Sequence, residues 1–170
     1  MELLCSCMNY VDSINIAHNQ LGDAGVNTLC SYLRKRAQPL QSLDLTNNGI
    51  TEKGSLEIAA VVLGLEECSS EYLVHSDEQN DHDNMPMISK QSPRIHSLFL
   101  SNNAIGDQAA AAMFAAPAQN RIKALHLANG RVTADVQHSL CEALSHSTSL
   151  TNVDLSMNYL NDFCVKVYWS

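Results

Sequence analysis

The sequence predicts an α/β solenoid: a horseshoe segment of about five leucine-dominated repeats, with a parallel sheet on the concave side and helices on the convex side. Two observations carry this. The pattern apolar-x-x-apolar-x-apolar-x-x-Asn-x-apolar recurs five times, and Gly130 in place of Asn is its one departure. The copies begin at residues 11, 40, 95, 122 and 150, so the intervals are 29, 55, 27 and 28 residues, three of them agreeing within two. A strand and a helix in a unit that short cannot bury an apolar face alone, and stacking on neighbours is what buries it.

The first copy reads Val11, Ile14, Ile16, Asn19 and Leu21, and the second Leu40, Leu43, Leu45, Asn48 and Ile50. Apolar residues at i, i+3 and i+5 mark a short strand entering a turn, with the last two on the buried face. The Asn that follows carries both a donor and an acceptor, so it can satisfy turn backbone that would otherwise be buried unpaired. Between these copies Val26, Leu29, Cys30 and Leu33 share one face of a helix. The third copy is Ile95, Leu98, Leu100, Asn103 and Ile105, and the fourth Ile122, Leu125, Leu127, Gly130 and Val132. After the fourth, Val136, Leu140, Cys141 and Leu144 form the matching helix stripe. Leu150, Val153, Leu155, Asn158 and Leu160 complete the fifth. At Gly130 the missing carboxamide leaves a hydrogen-bonding deficit unless Asn129 takes its place, and the fourth turn is expected to be looser than the others.

The composition narrows the function. An apolar fraction of 45% excludes disorder throughout the chain. Lys and Arg number 10 against 18 Asp and Glu, a net charge of −8, which argues against a nucleic-acid binder and mildly for a basic protein partner. No apolar run approaches the length that spans a bilayer, so no membrane association is expected. The N-terminus, Met1-Glu2-Leu3-Leu4-Cys5, lacks the basic region of a signal peptide. The cysteines at 5, 7, 30, 68, 141 and 164 match no disulfide framework or zinc spacing. They read as reduced thiols in a cytoplasmic protein.

Leu21-Gly22-Asp23-Ala24-Gly25-Val26 with Leu29-Cys30 resembles the ribonuclease-inhibitor-like class of leucine-rich repeats. Ile105-Gly106-Asp107 and Leu140-Cys141-Glu142-Ala143-Leu144 echo it, and the resemblance covers roughly 11–65 and 94–162. It implies the horseshoe architecture and a curved surface that grips proteins. Members of the class include nuclease inhibitors, GTPase-activating proteins, sensor domains and cytoskeletal scaffolds.

The organisation expected is a partial repeat or N-terminal cap at 1–10, repeats one and two at 11–65, and an acidic, mobile insertion at 66–93. Repeats three to five follow at 94–162, with a partial repeat or C-terminal cap at 163–170. Every charged side chain from Gly54 to Ser89, from Glu57 through Asp83, is acidic, which reads as a solvated loop or a tether for a basic partner. Asp81-x-Asp83 lacks the glycine and terminal Glu of a calcium loop, so no metal is expected. The terminal segments read either as improvised caps, with Tyr168 and Trp169 as a lid, or as uncapped ends that stack end to end.

The candidate binding residues are the outward-facing strand positions Asn15, Asp44, Phe99, His126 and Asp154. They are flanked by Ser13, Ser42, Ser97, Ala124 and Asn152 on one side and by Ala17, Thr46, Ser101, Ala128 and Ser156 on the other. An aromatic such as Phe99 on an open sheet is an anchor for a partner or is covered by the neighbouring loop or the acidic insertion. His126 beside it offers pH sensitivity. No nucleophile elbow, phosphate loop, dinucleotide fingerprint or zinc-protease motif occurs, so no catalytic residue and no cofactor is assigned. The leading reading is a noncatalytic protein-interaction scaffold. Two alternatives stand beside it: a small-GTPase regulator using Arg131 on a rim loop, and a fragment of a longer repeat protein.

Overall fold

A computed structural model of the chain describes residues 11–36, 38–65, 95–118 and 122–161. Strands and helices alternate along it: β1 (Ser13–Asn15), α1 (Gly22–Leu33), β2 (Leu40–Asp44), α2 (Glu52–Leu63), β3 (Ile95–Phe99), α3 (Gly106–Ala118), β4 (Ala124–His126), α4 (Gln137–His146) and β5 (Asn152–Asp154). The five strands form one parallel sheet in chain order. Ile14, Leu43, Leu98, Leu125 and Val153 stand opposite one another across it. Although 55 residues separate the second and third copies, β2 pairs directly with β3, Leu43 against Leu98. The caps at 1–10 and 163–170 and the acidic stretch at 66–93 lie outside the described residues.

The core lies between sheet and helices. Leu43, Leu45, Leu98, Leu100, Leu125 and Leu127 are fully buried, and in α1 Val26, Leu29, Cys30 and Leu33 are buried. In the fourth unit the packing differs from the sequence stripe. Val136 ends a short 3-10 turn, Ala134–Val136, ahead of α4, and the residues of α4 that bury are Leu140 and Ala143. Cys141 is only half-buried and Leu144 is 41% exposed. The 3-10 turn advances fewer residues per bond than an α-helix, so it shifts the inward face of the helix that follows. Val11, assigned to the first strand's core, is also exposed, since β1 starts two residues later.

Helix ends are set by local chemistry. Gly64 ends α2 in the left-handed region at φ 81°, and the N–H groups of Gly64 and Leu65 reach back to the carbonyls of Val61 and Ala60. A residue without Cβ takes that conformation at no steric cost. Between α1 and β2 the chain carries Arg36, buried, whose Nη2 donates to the carbonyl of Val11 at 2.8 Å.

From the second copy on, the turn asparagines Asn48, Asn103 and Asn158 act across repeats as well as within their own turn. Asn48 accepts the N–H groups of Asn19 and Leu21 on Oδ1 and donates Nδ2 to the carbonyl of Ile16, all in the first turn. Asn103 does the same for the second turn, accepting from Asn48 and Ile50 and donating to Leu45 at 3.0 Å. Asn158 serves the fourth, accepting from Gly130 and Val132 and donating to Leu127.

This corrects two expectations at Gly130. The fourth turn is held, at 2.8 Å from the Gly130 N–H to Asn158 Oδ1, and the turn that lacks a carboxamide from its neighbour is the third. Nor does Asn129 substitute for the missing side chain. It sits at φ 51°, in the left-handed position that Asn47 and Asn102 also occupy, and donates instead to Asn102 Oδ1 at 3.0 Å. That bond, with the Gly106 N–H on the carbonyl of Gly130 at 3.1 Å, joins the third turn to the fourth.

Candidate protein interface

The outward strand positions form one continuous row. Cα pairing runs Asn15 to Asp44, Asp44 to Phe99, Phe99 to His126, and His126 to Asp154. Parallel strands sit about 4.8 Å apart, so neighbouring side chains along this row are in reach of each other. The row of Ser13, Ser42, Ser97, Ala124 and Asn152 runs beside it in the same register. Small residues there leave the central row standing clear.

Within the row, Phe99 and His126 are in ring contact, with centroids 4.5 Å apart and planes 35° from parallel. Both rings are half-buried. His126 Nδ1 lies 3.8 Å from Asp154 Oδ2, an ion pair when the imidazole is protonated. The Asp154 carboxyl titrates below the usual range. The Ser156 N–H and hydroxyl hold it there, burial opposes them, and His126 adds a smaller contribution.

Asn15, Asp44 and Asp154 also have a structural task that the sequence reading missed. Each accepts, on Oδ1, the N–H two residues on: Ala17, Thr46 and Ser156, all at 3.0 Å. This is the Asx-turn preference of these residue types, and it ends each strand. One side-chain oxygen is thereby committed to the fold, and in Asp154 the second lies against His126.

A second set of acidic residues went unassigned and proves to clamp successive units at the helix N-termini. Asp23 takes the Thr51 N–H at 2.9 Å and its hydroxyl at 2.6 Å, and Asp107 takes the same two groups of Thr133 at 2.6 and 2.7 Å. Glu52 accepts the Gln108 N–H at 3.0 Å. The N–H donors among them lie at the starts of α2, of α3 and of the 3-10 turn before α4, where negative charge is favoured. A Cβ at Gly54 would collide with Asp23 and Ile50, so the seat requires glycine there. The signal was present in the repeated Gly-Asp at 22–23 and 106–107.

Burial tends to raise the pKa of Asp23, but the hydroxyl and N–H of Thr51, the N–H of Gly54 and the charge of Lys53 outweigh it, and the net shift is downward. A depressed carboxyl contributes stability above its unfolded pKa and loses that contribution as pH falls through the folded one. Asp23→Asn should therefore cost about 1 kcal/mol at neutral pH. The gap to wild type should close on acidification below the ordinary carboxylate range, read by urea titrations at several pH values. A gap constant with pH would show that the charge contributes nothing.

Among the described residues no group of three potential ligands gathers as a metal site, and no helix is long and apolar enough to cross a membrane. Cys30 and Cys141 are free thiols. Burial, with help from Glu57 and against Arg34, pushes the Cys30 thiol up to about 12. Cys5, Cys7, Cys68 and Cys164 lie outside the described residues.

A family model described as "Leucine Rich repeat" matches residues 8–30 and 36–59, two of the strand–helix units seen here. The chain is a leucine-rich-repeat protein of the ribonuclease-inhibitor-like class. Human "NACHT, LRR and PYD domains-containing protein 14" is 31% identical to it over 156 residues, 91% of this chain and 12% of that protein. The rat "NACHT, LRR and PYD domains-containing protein 3" is 25% identical over 167 residues, 97% of this chain and 14% of that protein. This chain thus spans about an eighth of the length of these relatives. The tropomodulin C-terminal domain of Caenorhabditis elegans superposes with a TM-score of 0.64 at 13% identity, covering 97% of this chain and 87% of that one. That likeness is one of fold. Leucine-rich repeats of this kind imply protein interaction in general.

Proposed function

We propose that these repeats form a noncatalytic, cytoplasmic scaffold that holds a partner protein on the concave face of the sheet. The observation that supports this best is the unbroken row from Asn15 to Asp154, with an aromatic pair at its middle and small side chains beside it. An aromatic anchor surrounded by polar groups is how binding energy concentrates in interfaces. The row carries Asp44 and Asp154 and no Lys or Arg, which favours a basic partner.

Affinity capture from cell extract, with wild type beside a Phe99→Ala, Asp44→Ala, His126→Ala variant matched in circular dichroism, tests the reading. Loss of an aromatic anchor and its charged neighbours should weaken capture about 30-fold or more. Equal capture by the two proteins would remove the concave face from consideration. The small-GTPase alternative rests on Arg131, exposed on the rim at φ 60°. It requires that the captured partner be a GTPase whose hydrolysis slows when Arg131→Ala replaces wild type.

A further inference from the structure

We infer that the middle of this row is a seat for an arginine side chain of the partner, its guanidinium stacked on Phe99 and paired to Asp44. The inference rests on the concave-face reading and gives it a ligand chemistry. Phe99 contacts His126 at 4.5 Å with the rings only 35° from parallel, so one face of the phenyl ring is turned to β4 and taken. The opposite face is turned to β2, where the residue in register is Asp44. Asp44 is short, and its neighbours along β2 on the open side are Ser42 and Thr46, so the space above them is not filled by a large side chain.

The carboxylate has one oxygen occupied. Asp44 Oδ1 accepts the Thr46 N–H at 3.0 Å, which fixes the side chain's rotamer and leaves Oδ2 as an outward acceptor. A preoriented carboxylate one strand, about 4.8 Å, from an aromatic face is the pair of groups that a planar cation satisfies at once. Guanidinium stacks flat on a ring while donating in its own plane, whereas ammonium is compact and strongly hydrated, so arginine is favoured over lysine. Asp154 plays a different part: its Oδ2 lies against His126 and holds that ring beside Phe99. Asn15 supplies an internal control. It makes the same Oδ1 contact, to Ala17 at 3.0 Å, without a charge, so Asp44→Asn should keep the turn and remove only the ion pair.

The test is a titration of the isotopically labelled protein with N-acetyl-argininamide, followed by amide and aromatic NMR shifts. Parallel titrations use N-acetyl-lysinamide and the uncharged isostere N-acetyl-citrullinamide. Argininamide should shift the Phe99 ring and the amides of residues 44–46 and 97–99, lysinamide should bind at least about threefold more weakly, and citrullinamide should leave the signals in place. Asp44→Asn and Phe99→Leu, each with an otherwise unchanged spectrum, should abolish the shifts. Equal response to arginine and lysine, shifts scattered over acidic residues elsewhere, or no response on β2 and β3 would each overturn the proposal. A captured partner that is lost by the triple variant but unaffected by Asp44→Asn would overturn it too, while leaving the concave-face reading intact.

Discussion

Asn103→Ala is expected to lower the unfolding free energy by about 3–4 kcal/mol. The residue is 5% exposed, and its carboxamide is the partner of five backbone groups, the weakest being the Ser101 carbonyl at 3.4 Å. Oδ1 holds the N–H groups of Asn48 and Ile50, and Nδ2 holds the carbonyls of Leu45 and Leu100. Truncation leaves donors and acceptors stranded where water does not reach, and each such loss costs about 1–3 kcal/mol before relaxation. Asn48 and Ile50 belong to the second repeat's turn and Leu45 directly follows β2, so the damage falls on the joint between repeats. Asn19→Ala is the comparison: that side chain is exposed and bonds only to Ile16 and Ala17 of its own turn, so its removal should cost under about 1 kcal/mol. Urea unfolding followed by circular dichroism separates the two. Similar losses for both would mean that the bonds between repeats contribute no more than those within one.

Phe114→Ala should cost about 3–5 kcal/mol. Phe114 heads the fully buried side chains by volume, and it sits in α3, which packs against both α2 and α4. On the same helix Ala109, Ala110 and Ala116 are buried and too small to fill the void, and Met113 is itself already fully buried, so it could move in only by giving up its own packing. Phe114→Leu keeps most of the volume and should cost roughly 1–1.5 kcal/mol. Leu144→Ala, at a position 41% exposed, should stay within about 0.5 kcal/mol. Thermal or urea denaturation of the three variants gives the ranking directly. A Leu144 variant as damaged as the Phe114 variant would place Leu144 in the core, as its spacing from Leu140 and Val136 suggests.

The candidate site was legible to the extent that strand geometry is. Once Leu43 and Leu45 are known to point inward, Asp44 must point the other way, and aligning the copies of the pattern puts Phe99 beside it and His126 beside Phe99. What could not be read was how the short polar side chains divide their oxygens. Asp44 and Asp154 each commit one to the turn that follows, and nothing in a single sequence separates that task from contact with a partner. The clamp of Asp23 on Thr51 was hidden for another reason: the two residues are 28 apart and meet only because the repeats stack.

The sequence by itself determined the architecture, because a strand and a helix repeated at a fixed interval have one economical way to bury their apolar sides. It determined which leucines are core in β2 to β4 and which column faces outward. Tertiary structure alone decided where hydrogen bonds cross between units. A turn Asn serves the repeat before it, so the deficit at Gly130 falls on the third turn and not the fourth. It also decided which stripe of α4 is buried, because the 3-10 turn ahead of that helix resets its face. The first outcome depends on the offset between stacked units, a distance that no residue encodes on its own, and the second on the packing that sets a 3-10 turn before α4.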